Sequence, residues 1–405
     1  MPRGFHPLIA AQFFSALADN ALLIVTMAVL VQRDMAPWLA PMLKFGFTLA
    51  YVVLAPVVGP LADAMPKARL MAWMNAVKVL GVASLLAGLH PVAGFCIVGL
   101  GAAAYAPAKY GLITEIVPAH RLVAANGWIE VSVVCAVLLG TVCGGLLVSP
   151  GWLGSGAVSH ALQAGAPDAL WVSLASLLAV YALAAVLNLG VPDSGARYPG
   201  RSLHPLAMLR DFASANRMLW RDREGGLSLA VTTLFWGVGA TLQFVVLRWA
   251  TEQLHLPLSQ SAYLQGVVAL GVVAGAALAG RFVPLAAAPR MLVFGVLLGL
   301  CMPLLAVVDS LTLAVPLLVV VGAVGGLLVV PLNALLQHRG CQLLTAGRSI
   351  AVQGFNENAS VLALLATYAA LVALDLPLRM LLSGFGLAIA LAIMLLMRRG
   401  WRRRP

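Results

Sequence analysis

Six charged residues, Asp19, Lys78, Lys109, Glu130, Arg248 and Glu357, fall inside stretches of this chain that are otherwise apolar. Three carry each sign. A charge left alone in hydrocarbon costs several kcal/mol, so a balanced set implies mutual pairing or a shared wet cavity. The chemistry such a set can do is recognition: carboxylates receive an ammonium, lysines and arginines receive a phosphate or carboxylate. Amides on the same stretches, Asn20, Asn126, Asn333, Gln353, Asn356 and Asn358, add neutral donors and acceptors.

Part of this set recurs. Asn126-Gly127-Trp128-Ile129-Glu130 and Gln353-Gly354-Phe355-Asn356-Glu357 share an amide, a glycine and a glutamate at one spacing, 227 positions apart. Each follows a proline element, Pro107-Ala108-Lys109 or Pro331-Leu332-Asn333, 224 positions apart. Two halves in step to within three residues point to a two-fold pseudo-repeat transporter, with its polar machinery near the bilayer midplane. Pro107 and Pro331 each free a backbone carbonyl and create a hinge, with Lys109 and Asn333 at the bend. The copies differ in charge. The segments around Lys109 and Glu130 read as the side gripping an anion, those around Asn333 and Glu357 as the side offering amides and a carboxylate.

The elements that must hold these residues are membrane helices. The chain has 405 residues, 62% hydrophobic and 10% charged, where soluble domains carry about 25% charged residues. Runs of bilayer-spanning length are predicted over 8–32, 40–62, 69–89, 92–114, 123–148, 169–190, 226–250, 259–283, 290–308, 312–337, 347–373 and 377–397. The first run is long, contains Asp19 and precedes a second span, which does not fit a cleavable signal peptide. A polar segment over 191–225 divides the spans six and six, predicting an all-α membrane protein of two pseudo-symmetric six-helix bundles, 1–190 and 226–405. Residues 204–221 of this linker suit an amphipathic helix on the inner surface, and 149–168 reads as the longest outer loop.

The net charge of +11 is a topology signal. With both termini cytoplasmic, 19 of the 25 basic residues fall on that side, including the tail from Arg398, and Arg33, Lys44 and Arg379 fall on the other. That asymmetry follows the positive-inside rule, makes anionic headgroups the natural partner and excludes a nucleic-acid reading. The five cysteines lack metal-type spacing and read as packing residues. There is no P-loop, dinucleotide fingerprint or His-x-x-x-His pair, so no enzyme, metal or cofactor is expected. Small-xxx-small pairs at Gly140/Gly144, Gly271/Gly275, Gly295/Gly299 and Gly322/Gly326 permit close helix packing.

After the second span the chain reads Gly59-Pro60-Leu61-Ala62-Asp63-Ala64-Met65-Pro66-Lys67-Ala68-Arg69. This resembles the Gly-x-Leu-Ala-Asp-x-x-Gly-(Arg/Lys)-x-Arg signature of the major facilitator superfamily, with Pro66 in place of the second glycine. A carboxylate on this short loop can cap a neighbouring helix while pairing with basic residues, a gate built from Asp63, Lys67 and Arg69. In that family the neighbour is the eleventh helix, which here starts near Arg348. The equivalent loop from Gly280-Arg281 is degenerate.

A closer resemblance covers nearly the whole chain. The segments 11–22 (AQFFSALADNAL), 101–111 (GAAAYAPAKYG), 125–127 with Glu130, 235–237 and 330–337 (VPLNALLQ) are similar to those of the lysophospholipid transporter family of Gram-negative inner membranes. Gln243 stands where the family pattern implies an arginine, with Arg248 five residues on, about 140° around the helix. The resemblance implies movement of 2-acyl lysophospholipids, such as lysophosphatidylethanolamine, from the outer to the inner leaflet, for re-acylation by a cytoplasmic-side acyltransferase. Lys78 and Lys109, with Arg248 or Gln243, would receive the phosphate, and Asp19, Glu130 or Glu357 the ammonium. Asn20, Asn126, Asn333, Gln353, Asn356 and Asn358 would bind glycerol and ester oxygens. Two alternatives stay open: a proton-coupled carrier for another small amphiphile, and a non-transporting lipid sensor or scaffold.

Overall fold

The structure is a computed structural model that describes residues 4–36, 38–196, 198, 204–256, 258–374 and 376–402. Arg3, Arg197 and Arg201 of the inner-side basic residues, Pro199 and Gly200 of the polar linker, and residues 403–405 of the basic tail lie outside these. Among the described residues every regular element is helical.

Twelve helices are long and apolar enough to cross a membrane. They are α1 (Phe5–Gln32), α2 (Leu39–Ala64), α3 (Lys67–Leu86), α4 (Pro91–Ile116), α5 (Leu122–Leu147), α6 (Ala169–Leu189), α7 (Arg223–Glu252), α8 (Leu258–Phe282), α9 (Leu292–Val307, which reaches spanning length with the 3-10 helix Leu285–Met291 before it), α10 (Leu311–Leu343), α11 (Ala346–Ala373) and α12 (Leu378–Arg402). All twelve predicted spans are present. Their ends differ where capping or polar residues extend a helix. The second helix runs to Ala64, so Asp63 sits in its last turn and only Met65 and Pro66 remain as loop. Lys44 lies within that helix, well past Leu39. The tenth continues to Leu343 and carries His338 and Arg339 with it. The stretch read as a loop over 149–168 contains helices Pro150–Leu153 and Gly156–Gln163, because Ser149 and Ser155 accept the Trp152 and Val158 N–H groups as caps. The linker forms the helix Pro205–Arg221, with Met208, Ala215 and Leu219 buried and Arg210, Arg217 and Arg221 exposed.

The chain divides into two compact units. The first comprises Met1–Ile116, Cys135–Phe212 and Ala346–Gly354; the second comprises Val117–Val134, Ala213–Thr345 and Phe355–Pro405. In the first, α1 packs on α6, α3 on both α4 and α6, and α2 on α4. The C-terminal half of α5 joins it at Gly144, where an added Cβ would lie 2.8 Å from the Ala21 carbonyl of α1. In the second, α8 packs along α10, α9 on α12 and α7 on α10. A Cβ at Gly326 would lie 2.6 Å from the Val272 carbonyl. Only residues without side chains permit such backbone approach.

Candidate functional site

In the first unit the polar groups are organised by α1. Gln12, Ser15 and Asp19 follow one another at i, i+3 and i+7, one face of a helix, and each meets a partner from another helix. Lys109 Nζ of α4 donates to Gln12 Oε1 at 2.8 Å and lies 4.2 Å from the Tyr110 ring centroid. Ser15 Oγ donates to Asn75 Oδ1 of α3 at 3.3 Å. Lys78 Nζ donates to Asp19 Oδ2 at 2.7 Å and to Ser15 Oγ at 2.9 Å. Tyr181 OH of α6 donates to the other oxygen, Asp19 Oδ1, at 2.6 Å.

Lys78 is only 2% exposed and the Asp19 side chain 14%. The lysine ammonium also lies 5.4 Å from the Tyr105 ring and 5.9 Å from the Tyr181 ring. Two hydrogen bonds, a full counter-charge and two π faces together offset the desolvation that makes a buried cation costly. The pair is thus closed on itself yet polar and exchangeable. A ligand bearing both an ammonium and a phosphate offers each member an alternative partner. Asn20 is placed differently: its Nδ2 donates to its own helix at the Ala16 carbonyl, 2.8 Å.

One end of this unit carries the candidate gate. Asp63 Oδ1 accepts the backbone N–H of Gly347, in the first turn of α11, at 3.0 Å. Lys67 Nζ lies 3.7 Å from that same oxygen and 2.5 Å from Glu115 Oε1 at the end of α4. Glu115 also accepts from Tyr198 OH at 2.9 Å and from Ser194 Oγ at 2.5 Å, both in the linker. Gly59 allows this packing, since a Cβ there would sit 3.1 Å from the Arg348 Cα and the Ala351 Cβ. Arg348 donates to Asp211 Oδ1 of the linker helix at 2.7 Å, and Arg69 is exposed. Ser194 and Tyr198 were missed because the linker has no periodicity that would place them, and Glu115 because it lies just past the end of the predicted span 92–114.

In the second unit Asn126 of α5 and Gln337 of α10 exchange two hydrogen bonds. Asn126 Nδ2 donates to Gln337 Oε1 at 2.9 Å, and Gln337 Nε2 donates to Asn126 Oδ1 at 3.0 Å. Both are buried. Beside them Gly127 brings α5 against α8, where a Cβ would lie 2.8 Å from the Ala276 carbonyl. Gln337 went unassigned in the sequence, although it stands one turn beyond Asn333 on the same face. Asn333 and Glu130 are buried too. In α11, Gln353 is buried, in the first unit, while Glu357 and Asn358 are half-buried, in the second. Asn356 serves the linker helix: it donates to Asn216 Oδ1 at 2.9 Å and accepts from Trp220 Nε1 at 3.1 Å.

Arg248 pairs with Glu252 on its own helix, Nε to Oε1 at 2.6 Å. Gln243 is exposed, and its backbone carbonyl accepts from Gln265 Nε2 at 3.0 Å. Pro107 and Pro331 are buried within continuous helices, α4 and α10. Before the start of α7, Asp222 caps the helix through the Gly225 N–H at 2.8 Å and holds Arg339 bidentately at 3.0 and 2.9 Å. Burial works against its charged form, but the Arg339 guanidinium and the Gly225 N–H outweigh this and hold the carboxyl below the usual carboxylate range.

Of the residues predicted to act together, the structure brings Asp19 against Lys78 and Asp63 against Lys67. Among the described residues no group of His, Cys, Asp and Glu could hold a metal ion.

Comparison with known proteins follows the same lines. The sequence profile of the Major Facilitator Superfamily matches residues 8–354. Lysophospholipid transporter LplT of Yersinia enterocolitica is 41% identical over 378 residues, 93% of this chain and 89% of its own length. The protein of that name from Yersinia pestis (strain Pestoides F) matches to the same extent. Among solved structures, the human organic anion transporter MFSD10 (TETRAN) superposes with a TM-score of 0.75 at 15% identity, covering 98% of this chain and all of that one. A bacterial homologue of the iron transporter ferroportin in its outward-facing state gives 0.73 at 15% identity over 99% of this chain and all of that one. At such identity these two structures bear on the fold alone.

Proposed function

From a chain that belongs to the major facilitator superfamily, and within it to the family of the lysophospholipid transporters named above, we propose a carrier that moves lysophospholipids across a bacterial inner membrane. The substrate class is 2-acyl lysophospholipid, with lysophosphatidylethanolamine as the representative. It passes from outer to inner leaflet, where an acyltransferase on the cytoplasmic side restores the missing chain. Both termini are cytoplasmic, as the basic residues favour. Transport is alternating access, with bundle 1–190 rocking against 226–405 about the linker 191–225.

The observation that carries this reading is the buried Asp19–Lys78 pair with Tyr181, Ser15 and the flanking rings. A zwitterionic headgroup cannot cross hydrocarbon unaided. A site that already holds a carboxylate against an ammonium can open and trade its internal pair for two substrate pairs of nearly equal strength. Asp19, with Glu130 or Glu357, takes the ammonium. Lys78 and Lys109 take the phosphate, and Arg248, already engaged by Glu252, contributes less. Gln243, Asn126, Asn333 and Gln353 contribute hydrogen bonds, as does Asn20 where its own-helix bond is released. Asp63, Lys67 and Arg69 close the cytoplasmic end, and Pro107 and Pro331 let α4 and α10 flex.

Uptake of labelled lysophosphatidylethanolamine into proteoliposomes tests the proposal. Wild-type protein is expected to accumulate the lipid with no imposed gradient, and Asp19→Ala and Lys78→Ala to abolish this. Uptake unaffected by both substitutions would sink the site assignment. Uptake that collapses when a proton gradient is dissipated would favour the proton-coupled carrier instead.

A further inference from the structure

We propose that Lys44 is a further headgroup-selecting residue: an outer-side cation that recognises the lipid phosphate and favours headgroups of net negative charge. The inference rests on the lysolipid reading and its topology. The charge count groups Lys44 with the outer side, yet it falls inside the predicted span 40–62, and in the structure it lies about 8 Å along α2 from the helix start at Leu39.

The two neighbouring residues divide the surface of α2. Leu43 is fully buried in a cluster with Ala18, Leu22 and Val25 of α1, whereas Lys44, 100° around the helix, is exposed. A lysine near a helix end ordinarily extends outward to the interface. The Lys44 ammonium instead stands over the Phe47 ring, three residues further into the helix, 6.0 Å from its centroid. That ring is itself braced by Phe95 of α4 at 5.6 Å and Tyr51 at 5.9 Å. Leu43 clusters with Ala18, the residue before Asp19, which places this end of α2 beside the Asp19 stretch of α1.

Asp19 has no oxygen to spare for it, since Lys78 and Tyr181 occupy both. Among the described residues no carboxylate forms an ion pair with Lys44. The lysine is therefore an uncompensated positive charge inside a spanning helix, a position that marks a ligand path by default. Counted along their helices from the outer ends, Lys44 comes five residues in, ahead of both Lys78 and Asp19. A phosphoethanolamine headgroup brings its own cation and satisfies its phosphate internally in part. A phosphoglycerol headgroup brings only the negative charge, and Lys44 adds the attraction that the buried pair cannot.

The full chain in phosphatidylcholine proteoliposomes provides the test, with labelled lysophosphatidylglycerol and lysophosphatidylethanolamine as probes. Lys44→Gln is expected to raise KM for the phosphoglycerol lipid about tenfold, the loss of one charge-assisted bond, and for the phosphoethanolamine lipid less than about twofold. Lys44→Arg should restore the ratio, and Lys44→Met should repeat the effect of Lys44→Gln. An unchanged ratio of the two KM values in both neutral variants, or equal losses for both lipids, would overturn the assignment while leaving the transport reading intact. Wild-type protein that moves neither lipid would overturn both.

Discussion

Asp63 and Gly347 lie one hydrogen bond apart: the carboxylate at the end of α2 accepts the N–H in the first turn of α11 at 3.0 Å. An acceptor carrying a full negative charge satisfies an otherwise orphaned donor and complements the positive end of the helix dipole. Lys67 and Glu115 then hold that carboxylate's surroundings neutral. Asp63→Ala is expected to lower stability by about 1 kcal/mol, the usual cost of losing a helix cap, and to slow transport. Asp63→Asn, which keeps the acceptor oxygen, should lose less stability. A thermal melt of the two variants in detergent checks this. Equal melting temperatures for Ala and Asn would show that the contact is not a cap.

The Asp19–Lys78 pair predicts an asymmetry between single and double substitutions. Removing one partner of a buried pair leaves the other as an uncompensated charge and costs about 3–5 kcal/mol. Asp19→Asn and Lys78→Gln should each lower the melting temperature. The double variant should recover part of that loss, since no charge is left behind, yet remain inactive in lysolipid uptake. A double variant less stable than either single one would show that the charges contribute beyond neutralising each other.

Reciprocal amide bonds make Asn126 and Gln337 a coupled pair. Replacing either with alanine strands a buried amide, at a cost of about 1–3 kcal/mol. Asn126→Leu with Gln337→Leu removes both polar groups and should cost less than the sum of the single alanine variants, by about 0.5–3 kcal/mol. Chemical or thermal unfolding of the three variants measures the coupling. Strict additivity would mean that each amide already has other partners.

Helix positions were legible in the sequence because runs of spanning length leave no alternative in hydrocarbon. Charges were legible for the same reason, so Asp19, Lys78 and Lys109 stood out by cost alone. Their neutral partners did not, because Gln12, Ser15, Asn75 and Tyr181 cost little wherever they point. The i, i+3, i+7 stripe of Gln12, Ser15 and Asp19 was the available signal. Linker residues carried none, since the contacts of Ser194 and Tyr198 with Glu115 depend on where an aperiodic segment docks. Lys44 already fell inside the predicted span 40–62 but was grouped with the outer basic residues because it stands near the helix end, and what it meets on α2 decides whether it anchors at the surface or faces inward.

Asp222 supplies a prediction on pH. Its carboxyl titrates below the ordinary value of 3.8 because it is held by Arg339 and the Gly225 N–H. A carboxyl with a depressed folded value contributes stability that is fully present above the unfolded value and is lost as pH falls through the folded one. The contribution should therefore be constant between pH 7 and 5 and disappear only under strongly acidic conditions. Arg339 is 35% exposed, so the ion pair itself adds no more than about 1 kcal/mol, with the cap adding about another 1 kcal/mol. Asp222→Asn keeps the cap oxygen and loses the titration. Its melting temperature should lie slightly below wild type at pH 7 and converge with it as the buffer is acidified below the aspartate range. A gap between wild type and variant that stays constant down through that range would show that Asp222 acts through geometry alone.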